Sequence, residues 1–367
     1  MKRILLLGGK FDYNGGRYSK IFQTIEKTVS QYAFERKWLV YSINGGYFQK
    51  LIDLQKDINE YDVAVWFADV PNDCVKIIKD LKKKNKKLLL ISSKNNVDEK
   101  YSINDLIQHA LGNKSNLFVE FTKNNNNRYQ ARVLDPLGNQ FGPLTEDVSQ
   151  ITKIMLSRIV DLLDFTRIGS QNIGPALDVP DDTEFFEIIR KHANTFHKLI
   201  YGTDNIERFL GNSSFRCING FPSMRNQHNI FVTRRNLDKS LLGQNGFVAV
   251  TNNEDVVQYC GENKPSVDTP IQIRLYNYYN QVKYILHSHV YVQNAAFTQR
   301  IIPCGAIEEF DEIIKIYNDN ASVNFSINLL GHGSLVLANN IDYIKNIIYI
   351  SRNMPELHIV ENKDESN

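Results

Sequence analysis

The N-terminal part of the chain alternates between short, continuous apolar runs and segments whose apolar residues recur at helical spacing. Ser19–Phe34 and Cys74–Leu81 have the helical spacing. Strands that alternate with helices predict a parallel sheet covered on both faces, so residues 1–145 are expected to form a Rossmann-like or flavodoxin-like domain. The predicted buried strands are Ile4–Leu7, Trp38–Ile43, Val63–Phe67 and Leu88–Ser92.

A glycine-rich loop after the first predicted strand is a candidate ligand site. Ligands of parallel sheets bind beyond the carboxyl ends of the strands, and glycines let backbone amides approach an anion there. The loop matches neither GxGxxG nor the Walker A pattern, so two readings stay open. One is a phosphate or nucleotide site; the other is a glycine-rich turn whose serine caps the next helix. The residues concerned are Gly9, Lys10, Gly15, Gly16, Arg17 and Ser19.

The middle of the chain predicts a boundary between two domains. Val148–Phe165 has helical spacing, and a loop rich in glycine and proline follows it, so residues 146–185 are expected to be a linker. Residues 186–367 are strand-rich with interspersed helices, which predicts helices packed on a sheet. The helices predicted in this half are Thr183–Ile200, Pro270–Tyr279, Glu308–Tyr317 and Ile341–Arg352.

Composition narrows the class of protein. The 367 residues carry a net charge of +2, with 42% hydrophobic residues, so neither nucleic acid nor an anionic membrane is an expected partner. No apolar stretch is long enough to span a bilayer. The cysteines form no CxxC pair, which argues against a zinc ribbon and a disulfide scaffold; a cytoplasmic location is the expectation.

Three histidines of the second half are candidate metal ligands. His287 and His289 end an apolar strand, where residues two apart point to the same face. His332 stands between Gly331 and Gly333, which suits a tight turn. Three histidines with an open fourth position are the pattern of a catalytic zinc site. Buried histidines satisfied by hydrogen bonds are the alternative for such a pair in isolation.

The sequence around these histidines resembles that of the class II aldolase, epimerase and adducin family. Five segments match family motifs in family order, and the resemblance covers the C-terminal half only. The matches are Gly211–Arg216 to GNxSxR, Phe231–Asp238 to ITPSGVD, Pro265–Pro270 to PSS(E/D)TP, Ile302–Cys304 to IPC and Leu330–Gly333 to the HHG or NHG turn. The expected fold is therefore α/β, with a Rossmann-like parallel sheet domain followed by a class II aldolase-like α/β/α domain.

The resemblance implies roles for individual residues. His287, His289 and His332 would hold zinc or another divalent metal. Asp268 stands where the aldolases have an acid/base glutamate and the ribulose-phosphate 4-epimerases an aspartate, and capping the following helix is its alternative role. The positions that match the family's phosphate-binding motifs are Asn212, Ser266, Thr233, Arg234 and Arg235, although both arginines and Val267 depart from the family pattern.

The sequence thus predicts a divalent-metal-dependent lyase or epimerase, acting on a phosphorylated sugar or related carbonyl compound through a metal-bound enediolate. The family's tail tyrosine has no convincing match here. Glu308 and Glu309 follow the IPC segment and could contribute to the site, but a solvated helix N-terminus is the favoured interpretation of both. The alternatives are an adducin-like binding or assembly protein without catalysis, and a bifunctional protein whose N-terminal domain binds a nucleotide or flavin. A homo-oligomer, as the family's tetramers suggest, is expected.

Overall fold

The computed structural model describes residues 1–71, 76–97, 101–201, 209–217, 230–253 and 256–352. Within them the chain divides into two compact units, one formed by Met1–Asp164 and one that begins at Phe165. None of the helices in these ranges has the length and apolar content needed to cross a membrane.

The first unit is built on a seven-stranded sheet of the described residues, in the order β2-β1-β3-β4-β5-β6-β7. The first five strands pair in parallel, and the last two extend the sheet as antiparallel neighbours. The order 2-1-3-4-5 is that of flavodoxin-like doubly wound sheets, which confirms the predicted Rossmann-like parallel sheet. The strands are β1 (Arg3–Asp12), β2 (Leu39–Tyr47), β3 (Val63–Asp69), β4 (Leu89–Asn95), β5 (Leu117–Lys123), β6 (Tyr129–Leu134) and β7 (Gln140–Thr145).

Helices cover both faces of this sheet, which explains the continuous buried runs of its strands β1, β3 and β4. On β1, Ile4 and Leu6 pack in one core cluster, whereas Leu5 and Leu7 pack in another on the opposite face. Helices α1 and α5 cover the first face, and α2 and α3 cover the second. The helices are α1 (Lys20–Glu35), α2 (Gln49–Asp57), α3 (Lys76–Lys84), α4 (Ile103–Gly112) and α5 (Val148–Asp164).

The segment 146–185, which the sequence predicts as a linker, is divided between the two units. Helix α5 contributes Met155 and Ile159 to the core of the first unit. Gly169–Gly174, which was predicted to be loop, forms the edge strand β8 of the second unit and pairs in parallel with Val256–Cys260. A polar edge strand of this kind shows no alternation of apolar and polar residues. It forms because it pairs with β12, so its own sequence does not predict it.

The second unit is built on a nine-stranded sheet of the described residues, in the order β15-β16-β17-β13-β9-β10-β11-β12-β8. Most neighbours are antiparallel. A separate two-stranded pair joins β14 to β18. The further strands are β9 (Asn212–Arg216), β10 (Ile230–Thr233), β11 (Phe247–Asn253), β12 (Val256–Cys260), β13 (Tyr284–Ser288), β14 (Tyr291–Val292), β15 (Ala296–Phe297), β16 (Asn324–Leu329), β17 (Gly333–Ala338) and β18 (Tyr349–Ile350).

The nine-stranded sheet is also covered on both faces, as the predicted α/β/α layering requires. Val232 and Ile285 face a core cluster with α7 and α8, while Phe231 and Leu286 face one with α6 and α9. The predicted helix Ile341–Arg352 was too long, because α9 ends at Lys345 and Tyr349 pairs with Val292 as a strand. The helices are α6 (Thr183–Tyr201), α7 (Thr269–Tyr278), α8 (Glu308–Ile316) and α9 (Ile341–Lys345).

The glycine-rich loop of the first unit folds back onto its own sheet. Lys10 N donates to the carbonyl of Arg17 at 2.7 Å, and Gly16 N donates to that of Gly46 at 2.9 Å. A Cβ built on Gly16 would lie only 1.6 Å from the Lys10 carbonyl oxygen. Ser19 caps α1 by accepting from Phe22 N. These contacts give the glycines a packing role, and several amides of the loop are already used inside the protein.

Replacing Gly16 with alanine is expected to destabilise the first unit by about 1–3 kcal/mol or more, because the added methyl group overlaps backbone. Both tryptophans, Trp38 and Trp66, lie in Met1–Asp164, so urea unfolding followed by tryptophan fluorescence reports this unit. Gly112→Ala is the matched control, because nothing lies within 4 Å of its Cβ position. Equal midpoints for the two variants would contradict the packing role.

Candidate metal centre

Three chain segments bring the histidines together where strands β13, β16 and β17 of the second sheet end or begin. His287 lies in β13, where it pairs with Leu335 of β17, and His289 follows the end of that strand. His332 lies in the turn between β16 and β17. Gly333 has φ +153°, and a Cβ there would lie 1.9 Å from the Ser288 carbonyl oxygen. Only glycine therefore lets this turn approach β13 so closely.

The three imidazoles form a compact and buried group. Their candidate ligand atoms all lie within 4.8 Å of one another, and no ring is more than 6% exposed. Burial lowers the pKa of His287 to about 4 and holds the pKa of His289 well below its ordinary value, with neighbouring histidines adding to both effects. Both rings are therefore neutral near pH 7, which is the form of imidazole that binds metals.

The unpartnered atoms of this group fit a bound cation. His287 Nδ1 contacts the Ser334 carbonyl oxygen at 3.0 Å, which leaves its Nε2 facing the group. Among the described residues, His287 Nε2, His289 Nδ1 and Asp268 Oδ1 are buried without a hydrogen-bond partner. Buried polar atoms are rarely left unpaired, because each one loses its hydration. A metal ion would satisfy the two imidazole nitrogens, so the histidine triad can bind a divalent metal.

Glu309 supports the third histidine. Its Oε1 lies 2.7 Å from His332 Nδ1, and the glutamate is 3% exposed. A carboxylate behind a histidine fixes the ring and leaves the other nitrogen for the metal. The interpretation of Glu309 as part of a solvated helix N-terminus was therefore wrong. Its spacing from Ile313 on α8 was the available signal, since residues four apart share a helix face.

Asp268 faces the histidines rather than the helix that it precedes. It is the N-cap residue of α7, but its side chain makes no capping hydrogen bond. Its Oδ2 accepts from Asn212 Nδ2 at 2.9 Å and lies 3.8 Å from His287 Nε2. The aspartate is 7% exposed. This geometry removes the helix-capping alternative and places a carboxylate beside the metal-facing nitrogens.

Two of the predicted phosphate-binding residues, Asn212 and Ser266, lie beside Asp268, and the polar atoms of Asn212 are largely committed. Asn212 is 1% exposed and donates to both Ser266 Oγ and Asp268 Oδ2, and its own oxygen accepts from Gln272. Thr233 is fully buried, and its hydroxyl accepts from Ser213 N at 3.1 Å. In this structure Asn212 orients the carboxylate, and the Thr233 hydroxyl is used within the sheet.

The two arginines follow β10 and face different surroundings. Arg235 is exposed, and its Nε donates to the Pro265 carbonyl oxygen at 3.3 Å, next to Ser266. Arg234 lines a cavity of about 400 Å³ that also includes Cys260 and Glu262. Its Nε is buried without a partner in the described part of the chain. The three histidines do not line this cavity.

Two further residues at the centre were not singled out from the sequence. Lys239 is 3% exposed, its Nζ donates to the carbonyl oxygens of Leu210 and Leu237, and burial lowers its pKa to about 8. Nothing in the polar run around it signals burial, because lysine is rarely found inside. Cys304 places its Sγ 3.1 Å from His332 Nε2. Its position in the IPC motif gave no sign of that contact.

The residues of the predicted N-terminal ligand loop all belong to the first unit, whereas the histidines belong to the second. A phosphate or nucleotide site at Gly9, Gly15 and Arg17 stays a prediction. Lys10 forms an ion pair with Asp12 at 3.6 Å. The C-terminal tail 361–367, in which no match to the family's tyrosine was found, lies outside the described residues.

The family comparison agrees with this geometry. Residues 193–320 match the family model described as the class II aldolase and adducin N-terminal domain, which is about a third of the chain. The second unit contains a class II aldolase-type domain. The matched span includes His287, His289 and Asp268 and ends before His332. It is the fold that adds the third imidazole to the two histidines of the matched span.

Three solved structures are similar to parts of the chain. One is the DNA/pantothenate metabolism flavoprotein of Streptococcus pneumoniae, at 14% identity and TM-score 0.35, covering 44% of this chain and 99% of that one. YgbL of Klebsiella pneumoniae, assigned provisionally as an aldolase, epimerase or decarboxylase, has 14% identity, TM-score 0.29 and coverages of 44% and 83%. L-Fuculose-1-phosphate aldolase of Thermus thermophilus has 11% identity, TM-score 0.28 and coverages of 44% and 83%. No curated protein matches the chain.

Replacing Glu309 with glutamine is expected to weaken divalent-metal affinity about 10–100-fold, because the His332 ring loses the carboxylate that fixes it. Chelator competition with zinc measures the change. Glu312→Gln is the matched control, since Glu312 is equally buried on the same helix but pairs with Lys315. If both variants bind zinc like the unmodified protein, Glu309 does not support the ligand.

Proposed function

We propose that the aldolase-type domain is a divalent-metal-dependent lyase or epimerase. The observation that carries the proposal is the convergence of His287 Nε2 and His289 Nδ1, both buried and unpartnered, beside the carboxylate of Asp268. A site of three imidazoles leaves positions open for a substrate. The match to the class II aldolase and adducin family supports the same reaction class.

The residues around the ion have distinct roles in this proposal. A divalent metal held by the three histidines supplies a Lewis acid that polarises hydroxyl or carbonyl oxygens of the substrate. Asp268 is the proton acceptor and donor: its Oδ1 is free, and Asn212 holds its Oδ2. Burial around the site excludes water and strengthens the electrostatic interactions between these groups.

A phosphorylated sugar or related carbonyl compound is the proposed substrate. Arg234 and Arg235 follow β10, which is separated from β13 by the single strand β9. Two strand spacings are about 10 Å, so an anion near these arginines would lie about one sugar-phosphate length from the histidines. Guanidinium groups bind phosphate well through paired N–H donors.

Cleavage and epimerisation both begin by making or breaking a bond next to a polarised carbonyl or hydroxyl group, so the same residues serve either reaction. The family resemblance places an aspartate at position 268 in the epimerases and a glutamate in the aldolases. We therefore favour the epimerase-like branch. Homo-oligomer formation belongs to the same proposal, and a monomer in light scattering would contradict that part of it.

Asp268→Asn is expected to keep the metal and to lower turnover about 100–10,000-fold, because general acid–base catalysis is lost while the histidines remain. The measurement is cleavage, epimerisation and solvent-deuterium incorporation across a panel of sugar phosphates and their dephosphorylated forms, with metal content determined for each sample. Asp311→Asn, an exposed carboxylate on α8, is the control.

The panel also separates the alternatives. Protein that carries no stoichiometric metal, and is unaffected by His289→Ala, would support the adducin-like binding role and defeat the enzyme proposal. Turnover of the dephosphorylated compounds alone would refute the sugar-phosphate assignment. Full activity of the Asp268→Asn variant would remove the aspartate from the mechanism and leave the metal assignment standing.

A further inference from the structure

Lys239 is a buried lysine that contacts no carboxylate in the described part of the chain. Its side chain is 3% exposed, and its Nζ donates to the carbonyl oxygens of Leu210 at 3.3 Å and of Leu237 at 3.1 Å. It forms no ion pair with another described residue. An ammonium group has three N–H donors, so these two carbonyl oxygens leave one donor for a further acceptor.

Lys239 keeps its charge near pH 7. Burial lowers its pKa to about 8, so the protonated form still predominates at neutral pH. The neighbouring Asp238 does not neutralise it by contact, because that carboxylate accepts from the backbone N and the hydroxyl of Ser240 at 2.9 and 2.7 Å. A buried charge without a contacting counter-ion costs stability. A neutral donor would hold the same two carbonyl oxygens, so the charge itself needs another explanation.

Backbone packing places this ammonium beside the histidines. Leu210, which accepts from Lys239, immediately precedes Gly211. Gly211 has φ +79°, and its Cβ position is 2.6 Å from the His287 carbonyl oxygen, so this turn lies directly against β13. Burial is the largest cause of the lowered pKa values of His287 and His289, and the Lys239 charge acts in the same direction on both. The charge of Lys239 therefore acts at the place where the metal would bind.

We infer that Lys239 supplies a buried positive charge that makes the metal centre selective for anionic ligands, such as the phosphate or carboxylate group of a substrate. This inference rests on the metal centre of the proposed function and adds a specificity-determining residue to it. A positive charge in surroundings of low dielectric constant attracts an anion and repels a cation. Lys239 therefore strengthens the binding of an anion and weakens the binding of the metal. A lysine that only stabilised the two turns would affect both affinities in the same direction.

The test compares Lys239→Gln and Lys239→Met in the full chain. Glutamine removes the charge and keeps an N–H donor for the carbonyl oxygens, whereas methionine removes both. In each variant we expect zinc to bind about 3–30-fold more tightly, and inorganic phosphate to bind the zinc-loaded protein about 3–30-fold more weakly. Chelator competition measures the first affinity and calorimetry the second. Lys198→Met is the matched control, because Lys198 is an exposed lysine of the same unit whose charge is screened by solvent.

Nuclear magnetic resonance of the lysine side chains in the unmodified protein gives a second reading, through the lysine that titrates near pH 8. Zinc loading is expected to lower the pKa of Lys239, and phosphate added to the zinc-loaded protein to raise it, because a nearby cation disfavours the ammonium and an anion favours it.

Three results overturn the inference and leave the proposed function intact. They are a Lys239 pKa that responds to neither ion, a Lys239→Gln variant with unchanged affinities, and a loss of zinc and phosphate affinity together in both variants. The last two would reduce Lys239 to a structural residue. Failure of the unmodified protein to bind zinc stoichiometrically overturns both the inference and the proposed function.

Discussion

The second unit depends on burying three imidazoles side by side where strands of its sheet end, with His287 Nε2 and His289 Nδ1 left without a hydrogen-bond partner. Burial favours the uncharged form of His287 and His289, so the protein itself prepares them as ligands. The arrangement is unfavourable without a cation, because buried polar atoms lose hydration without regaining a partner. Much of the surrounding structure compensates for that cost: Ser334 fixes one ring and Glu309 another.

The strands beside β13 also position Asp268 and Arg234. Asn212 begins β9, the neighbour of β13. Its side-chain amide donates to Asp268, whose carboxylate lies 3.8 Å from His287 Nε2. Arg234 follows β10, one strand further along. Because neighbouring strands are about 4.8 Å apart, the number of strands between a residue and β13 sets its distance from the histidines. In the proposed function, a substrate that lies along these strand ends would meet the histidines, the carboxylate and the arginines in turn.

Local patterns were enough to predict the parts of this structure that depend on periodicity. The apolar runs of the first unit predicted its parallel strands, and the i, i+2 spacing of His287 and His289 predicted their common face. The polar edge strand β8 and the end of α9 were missed, because partner strands define them. Cys304 and Lys239 carry no local signal for the centre. Their places follow from long-range packing of the turns after β10 and before α8.

The position of the ligands along the chain has a consequence for stability. His287 and His332 are 45 residues apart, and the segment between them contains Cys304 and α8. An ion bound by both histidines would cross-link the two ends of this segment. In the chain-entropy description of cross-links, a loop of that length restricts the unfolded chain by about 4 kcal/mol. Metal loading would therefore couple the folding of α8 to that of the sheet. Removing the metal with a chelator would lower the stability of this unit as well as remove the Lewis acid.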